Sequence, residues 1–189
     1  NPLGHALSAR VALAQGRWDQ AIESLETVLS LDSGWEDVHG LYGEALLHSG
    51  RYADAKLQFE IQLYSKAHDS GAMTGLGRAL LELGKAPQAS QCFAKFLARH
   101  PNDPTASCQM AMCQFVQGRF HAGVALCLRT IQLDPHHLYA LQKLVQGYSH
   151  LGRWNQARKV LDYSLNIHPK DPVLLDLKRR WWPNRVRWT

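Results

Sequence analysis

The sequence predicts an all-α fold built from repeated helix-turn-helix units. A glycine recurs every 34 residues, at Gly16, Gly50, Gly84, Gly118 and Gly152. Around each glycine, apolar residues are spaced three or four positions apart, which is the period of an α-helix. When the chain is written in rows of 34 residues beginning at position 2, small and bulky side chains also fall into fixed columns. Together, these three observations indicate repeated helix pairs rather than a single irregular domain.

Each row is predicted to fold as two helices with a turn at the glycine, because a left-handed turn after a helix costs glycine nothing sterically. The rows are 2–35, 36–69, 70–103, 104–137 and 138–171. A small residue five places after each glycine allows close helix approach: Ala21, Ala55, Ala89, Gly123 and Ala157. An aromatic residue two places after the glycine closes the corner in four rows: Trp18, Tyr52, Phe120 and Trp154.

Prolines and aspartates predict where several helices end and begin. Pro101, Pro135 and Pro169 follow second helices, which proline cannot continue. The pairs Asp103-Pro104 and Asp171-Pro172 combine a capping side chain with a first-turn proline. A last helix is predicted over residues 172–182, where Pro183 stops it and an apolar stripe faces the last row: Val173, Leu174, Leu177 and Trp181.

A strict 34-residue helix-turn-helix period over residues 2–171 resembles the tetratricopeptide repeat family. The family slots are best filled by Tyr42-Gly43 and Leu76-Gly77, whereas row one has Ser8-Ala9 and row four has Gly123 in place of alanine. The resemblance implies a right-handed superhelix, an α-solenoid of five stacked units, in which residues 172–189 form a capping helix and a basic, tryptophan-rich tail.

The distribution of charge and the spacing of the cysteines disfavour nucleic-acid binding and metal binding. Residues 178–189 carry five basic and no acidic side chains, which accounts for the whole net charge of +5. The remainder of the chain is neutral, which disfavours nucleic acid as a partner. The four cysteines form no Cys-x-x-Cys pair, so we expect apolar fillers in a reducing, cytoplasmic compartment, with no metal site and no cofactor.

No catalytic arrangement is visible in the sequence. The ten histidines are scattered, there is no glycine-rich phosphate loop after a strand, and the carboxylates are spread over predicted surface positions. We therefore predict that the chain is not an enzyme.

The family resemblance implies a concave groove lined by the first helix of each row. The lining positions are the second, fifth, ninth, twelfth and thirteenth of each row. The predicted ligand-groove residues are Arg10, Glu44, His48, Arg78, Met112, Phe115, Tyr139, Gln142, Gln146 and His150. Charges of both signs give way to apolar and amide side chains along the rows, which suits a peptide with apolar anchors. The predicted function is a protein–protein interaction scaffold or adaptor that binds a peptide or protein segment.

Some members of this family grip the C-terminal carboxylate of chaperones with lysines and asparagines in fixed slots. Rows three to five come closest to that pattern, with Thr74, Arg78, Gln109, Tyr139 and Lys143 in those slots. The pattern is not met, so a grip of this type is not predicted.

The tail carries the alternative hypothesis. It contains arginines beside tryptophans: Arg179, Arg180, Trp181, Trp182, Arg185 and Trp188. This composition suits an anionic membrane surface or docking on a second copy, which would make the chain a membrane-peripheral, self-associating assembly scaffold. A polar cap on the last repeat explains the same residues without any ligand.

Overall fold

The computed structural model describes residues 1–32, 34–35 and 37–181, which contain eleven α-helices and no strand. The helices are α1 (Pro2–Ala14), α2 (Trp18–Leu31), α3 (Val38–His48), α4 (Tyr52–Ser65), α5 (Ser70–Glu82), α6 (Ala86–Arg99), α7 (Pro104–Val116), α8 (Phe120–Leu133), α9 (Leu138–His150), α10 (Trp154–Ile167) and α11 (Pro172–Trp181). The predicted all-α solenoid class is confirmed. The chain divides into two compact units, residues 1–99 and 100–189. The row boundaries and the right-handed superhelix stay predictions.

The repeated glycines form the predicted left-handed turns. Gly16 has a φ of 69°, and the other four of the series have φ between 69° and 80°. After the first of these turns, the Arg17 N–H donates to the Ala12 carbonyl at 2.9 Å, which closes α1 before α2 begins. The same 34-residue spacing therefore produces the same backbone geometry five times.

The predicted caps are present at α7 and α11. Asp103 Oδ1 accepts the Ala106 N–H at 2.6 Å, and Asp171 Oδ1 accepts the Leu174 N–H at 2.8 Å. Pro104 and Pro172 are the first residues of these two helices, where their missing N–H groups cost nothing. The aspartate-proline pairs thus begin helices as predicted.

In the first unit, the core lies between the two helices of each pair and between successive pairs. The small column residues Ala21, Ala55 and Ala89 are fully buried, which confirms that they allow close approach. Phe59 of α4 fills space that two glycines of neighbouring helices leave open. A Cβ at Gly43 would lie 2.7 Å from the Phe59 ring, and one at Gly75 would lie 2.3 Å from it.

In the second unit, α11 covers the last helix pair. Leu174 and Leu177 are buried, and the ring of Trp181 meets that of Trp154 edge-on at a centroid distance of 6.0 Å. Val173 is 40% exposed, so its predicted place in the apolar stripe is wrong. Positions 174, 177 and 181 are spaced three and four apart and share one helix face, whereas position 173 lies beside that face.

Candidate functional site

The first helices of the first unit line a cavity of about 550 Å³, here called the unit 1 groove. Its lining includes the second, fifth and ninth residues of rows one to three: Leu3, Ala6, Arg10, Asp37, Gly40, Glu44, Gly71, Thr74 and Arg78. Further apolar surface comes from Leu7, Trp35, Leu41 and Phe59. These three column positions therefore line one cavity in the first unit. The role of these side chains in ligand binding stays a prediction.

Three charged side chains in the unit 1 groove have no partner within the described residues. Arg10 of α1, Glu44 of α3 and Arg78 of α5 occupy the same position in successive rows. None of the three forms a hydrogen bond or an ion pair with a residue that the structure describes. They are therefore available to a ligand, and two of the three are cationic.

Two other charges in the groove are already satisfied by a buried amide. Gln62 is only 2% exposed, and its Nε2 donates to Asp37 Oδ1 and to Asp69 Oδ2, each at 3.0 Å. Its Oε1 accepts the Gly40 N–H at 3.2 Å. Lys66 Nζ also donates to Asp37 Oδ1 at 2.8 Å, and this contact holds the pKa of Asp37 below its usual range. Asp37 and Asp69 therefore shape the groove rather than offering free charge.

His48 has a different place from the one expected for a groove residue. Its ring stacks on Trp18, with ring centroids 4.4 Å apart and planes 13° from parallel. It is not among the residues that line the unit 1 groove. The stack joins the start of α2 to the end of α3, so the contact explains the aromatic residue two places after the glycine.

The second unit contains a smaller cavity of about 260 Å³ between α7, α8 and α9, here called the unit 2 pocket. Four predicted groove residues line it: Met112, Phe115, Gln146 and His150. The remaining lining residues are Val116, Phe120, Lys143 and Gly147. The His150 ring stacks on Phe120 at a centroid distance of 4.7 Å, which repeats the arrangement of His48 and Trp18.

Lys143 is the lysine among the four lining residues that were not in the predicted ligand-groove set. It is half-buried, its Nζ donates to Gln146 Oε1 at 3.2 Å, and it lies over the Tyr139 ring, 5.1 Å from the centroid. Burial lowers the pKa of its ammonium group. Its sixth-column position is outside the predicted lining positions and was considered only as a slot of the carboxylate grip, whose pattern this chain does not meet. The half-burial that marks it depends on neighbouring helices.

The two other predicted groove residues do not line the unit 2 pocket. Tyr139 is partly exposed beneath Lys143. Gln142 is only 8% exposed, and its Nε2 donates to Asp171 Oδ1 at 2.9 Å. The Gln142 amide is thus used to fix the cap of α11, an internal contact that the column position alone does not reveal.

Half of the predicted tail residues lie within the described part of the chain. Arg179 is exposed, Arg180 forms an ion pair with Asp176 at 2.7 Å, and Trp181 packs on Trp154. Trp182, Arg185 and Trp188 lie outside the described residues. The contact of Trp181 agrees with a role in capping the last repeat, and the membrane and self-association hypotheses stay predictions.

The described residues offer neither a metal centre nor a membrane-spanning helix. They contain no group of three or more metal-ligating side chains arranged to hold an ion. None of their helices combines the length and apolar character needed to cross a membrane.

Comparison with known proteins identifies the repeat. Models of the tetratricopeptide repeat match residues 12–61 and 74–137, together more than half of the chain. No curated protein sequence matches significantly.

Solved structures show the same fold at low sequence identity. A structure of YrrB, described as a TPR protein with an unusual peptide-binding site, is 21% identical, with a TM-score of 0.74 over 95% of this chain and 92% of that chain. MamA 41-end from Desulfovibrio magneticus RS-1 is 16% identical, with a TM-score of 0.81 over 90% and 97%. Another MamA structure is 18% identical, with a TM-score of 0.75 over 86% and 95%.

Proposed function

The chain belongs to the tetratricopeptide repeat family, and we propose that its unit 1 groove binds a peptide segment of a partner protein. Membership of this family makes the chain a protein–protein interaction scaffold. Such repeats are typically non-enzymatic interaction modules, and the absence of catalysis in this chain stays our prediction. The similar YrrB structure is described as having a peptide-binding site, which supports a peptide as the ligand.

The observation that carries the proposal is the set of free charges at one column of three successive rows. Arg10, Glu44 and Arg78 line the groove and have no partner among the described residues. A peptide with carboxylates opposite the two arginines and a cation opposite Glu44 complements this surface. Such pairs contribute mainly to specificity and association rate.

Apolar contacts have to supply most of the affinity. An exposed ion pair contributes about 0.2–1 kcal/mol, whereas burial of apolar surface contributes about 25 cal/mol per Å². Leu3 and Leu7 are both more than half exposed on the groove side of α1 and offer such surface. We therefore infer a ligand with aliphatic or aromatic side chains between its charged groups.

Site-specific photocrosslinking tests the location of the ligand. Leu7, which is 54% exposed in the groove, is replaced by p-benzoylphenylalanine, and Tyr64, which is 95% exposed and outside the groove, receives the same change as a control. After irradiation in native lysate, we expect a partner crosslinked through position 7 and not through position 64. Equal crosslinking at both positions, or none at position 7, would contradict the proposal.

Charge reversal tests the role of the arginines. Arg10→Glu combined with Arg78→Glu should weaken the crosslink at position 7 at least tenfold, because both attractive contacts become repulsive. Lys85→Glu is the matched control, since Lys85 is exposed at the turn between α5 and α6 and does not line the groove. If the Lys85 variant loses the crosslink to the same degree, net charge rather than the groove determines binding.

A further inference from the structure

We propose that the unit 2 pocket is a second docking site, which binds a bulky apolar side chain of a partner peptide next to the carboxylate of an internal aspartate or glutamate. This inference concerns a different unit of the chain from the unit 1 groove. It holds or fails independently of the proposed function.

The size and lining of the pocket suit one side chain. Its volume of about 260 Å³ is below the roughly 300 Å³ at which small-molecule pockets begin. Met112, Phe115 and Phe120 provide apolar walls, and Val116 is 58% exposed at the pocket surface. An aliphatic or aromatic anchor from a peptide would cover this exposed apolar surface.

The charge of the pocket comes from Lys143. This ammonium group is half-buried and forms no ion pair with any residue in the described part of the chain. Of its three donors, one is used by Gln146 Oε1, and the Tyr139 ring provides only a weak attraction. A half-buried cation without a counter-ion is unfavourable, so a carboxylate supplied by a ligand has a strong electrostatic reason to bind here.

The neighbouring ionisable groups do not neutralise Lys143. The two groups that influence it electrostatically are the thiols of Cys108 and Cys127. Burial raises the pKa of Cys108 to about 12 and also raises that of Cys127, so both thiols stay protonated and neutral near pH 7. No residue that the structure describes therefore compensates the positive charge of Lys143.

The carboxylate is assigned to a side chain rather than to a peptide C-terminus. The slots in which family members grip a terminal carboxylate are not filled in the required pattern in this chain. Lys143 offers one point charge, which matches one aspartate or glutamate beside an apolar anchor. The ligand class is thus an acidic, apolar peptide segment.

Short blocked peptides test this assignment. The probe is the hexapeptide Ser-Gly-Phe-Glu-Gly-Ser with an acetylated N-terminus and an amidated C-terminus, titrated into the full chain and followed by two-dimensional NMR. Three comparison peptides replace Glu by Gln, replace Phe by Ala, or place Phe at a free C-terminus without Glu. We expect shifts confined to α7, α8 and α9, and at least tenfold weaker binding of the Gln and Ala peptides, because each change removes one of the two contacts.

Variants of the protein give the matching evidence. Lys143→Gln should weaken binding of the Phe-Glu peptide about tenfold but leave the affinity for the Phe-Gln peptide unchanged. The reason is that the change in the protein and the change in the peptide remove the same contact. Lys159→Gln, on the exposed surface of α10, is the matched control and should leave all affinities unchanged. In the wild-type chain, the pKa of Lys143 should rise when the Phe-Glu peptide binds, because a nearby carboxylate favours the charged ammonium.

Several results would overturn the proposal. These are failure of the Phe-Glu peptide to bind at millimolar concentration, equal binding of the Phe-Gln peptide, shifts outside the pocket, or binding only of the peptide with the free C-terminus. Loss of binding in Lys143→Gln with no rise of the Lys143 pKa in the wild-type complex would show a structural role for this lysine instead.

Discussion

At the residue scale, Gly123 illustrates how a departure from the repeat pattern is explained by one neighbour. Gly123 of α8 stands where the other rows have alanine, and a Cβ there would lie 2.5 Å from Phe115 Cε1. The Phe115 ring also contacts Gly147 of α9, so it cannot simply move aside. We therefore expect Gly123→Ala to destabilise the chain by up to about 2 kcal/mol, because overpacking costs about 1–3 kcal/mol and the gain in helix propensity offsets only about 1 kcal/mol of it. Chemical denaturation measures this.

Gly4 provides the control for Gly123. It lies within α1, and a Cβ there would meet nothing within 4 Å. Gly4→Ala should therefore raise the free energy of unfolding of the chain by about 0.5–1 kcal/mol. Adding Phe115→Leu to Gly123→Ala should recover part of the loss, since the smaller side chain leaves room for the methyl group. Stabilisation by Gly123→Ala alone would mean that the Phe115 ring is not fixed.

At this scale, the sequence predicted which helix positions line a cavity better than it predicted which side chains contact one another. The second, fifth and ninth columns of rows one to three do line one groove. His48 and Gln142 were predicted to line the groove, but their side chains make internal contacts with Trp18 and Asp171. A column position repeats from row to row, whereas the partner of each side chain depends on a residue distant in sequence, such as Trp18 for His48 and Asp171 for Gln142.

At the element scale, one hydrogen bond connects the first and second helix pairs directly, from helix to helix. The Tyr42 hydroxyl of α3 donates to Glu26 Oε1 of α2 at 2.6 Å. Burial, followed by the contact with Glu26, raises the pKa of Tyr42 to about 12 from 10.0. Tyr42→Phe should therefore cost about 1 kcal/mol near pH 7, the usual value of one hydrogen bond.

The pH dependence of this contact follows from the direction of the shift. The pKa of Tyr42 is higher in the folded chain than in the unfolded chain, so ionisation of this tyrosine lowers the stability of the fold. The stabilisation is complete below pH 10 and is lost between pH 10 and 12. The deficit of Tyr42→Phe should accordingly shrink over that range. Absorbance at 295 nm should show one fewer late-titrating tyrosine in the variant. Tyr64→Phe, on the exposed surface, is the control and should leave the free energy of unfolding near pH 7 unchanged.

At the scale of the whole molecule, the repeat period predicted the helices and turns because they depend on local residues alone. The left-handed glycines and the Asp103 and Asp171 caps follow from the sequence directly. The division into units 1–99 and 100–189 was not predicted, since the repeat period is the same in both units. Lys143 escaped prediction because its burial is produced by packing between helices.

The repeat organisation predicts that a destabilising substitution at one end of the chain lowers the stability of the neighbouring helices only. Trp181 closes α11 onto Trp154. Because Trp181 is only partly buried, Trp181→Ala should cost less than the roughly 3–5 kcal/mol of a fully buried tryptophan, about 1–2 kcal/mol. Because each repeat depends mainly on its immediate neighbours, amide hydrogen exchange should accelerate about tenfold in α10 and α11 and stay unchanged in α1–α6. Arg179→Ala, at an exposed position of the same helix, should leave exchange unchanged throughout. Equal acceleration in both units would instead show that the chain unfolds as one cooperative body, and the local character of the repeats would be wrong.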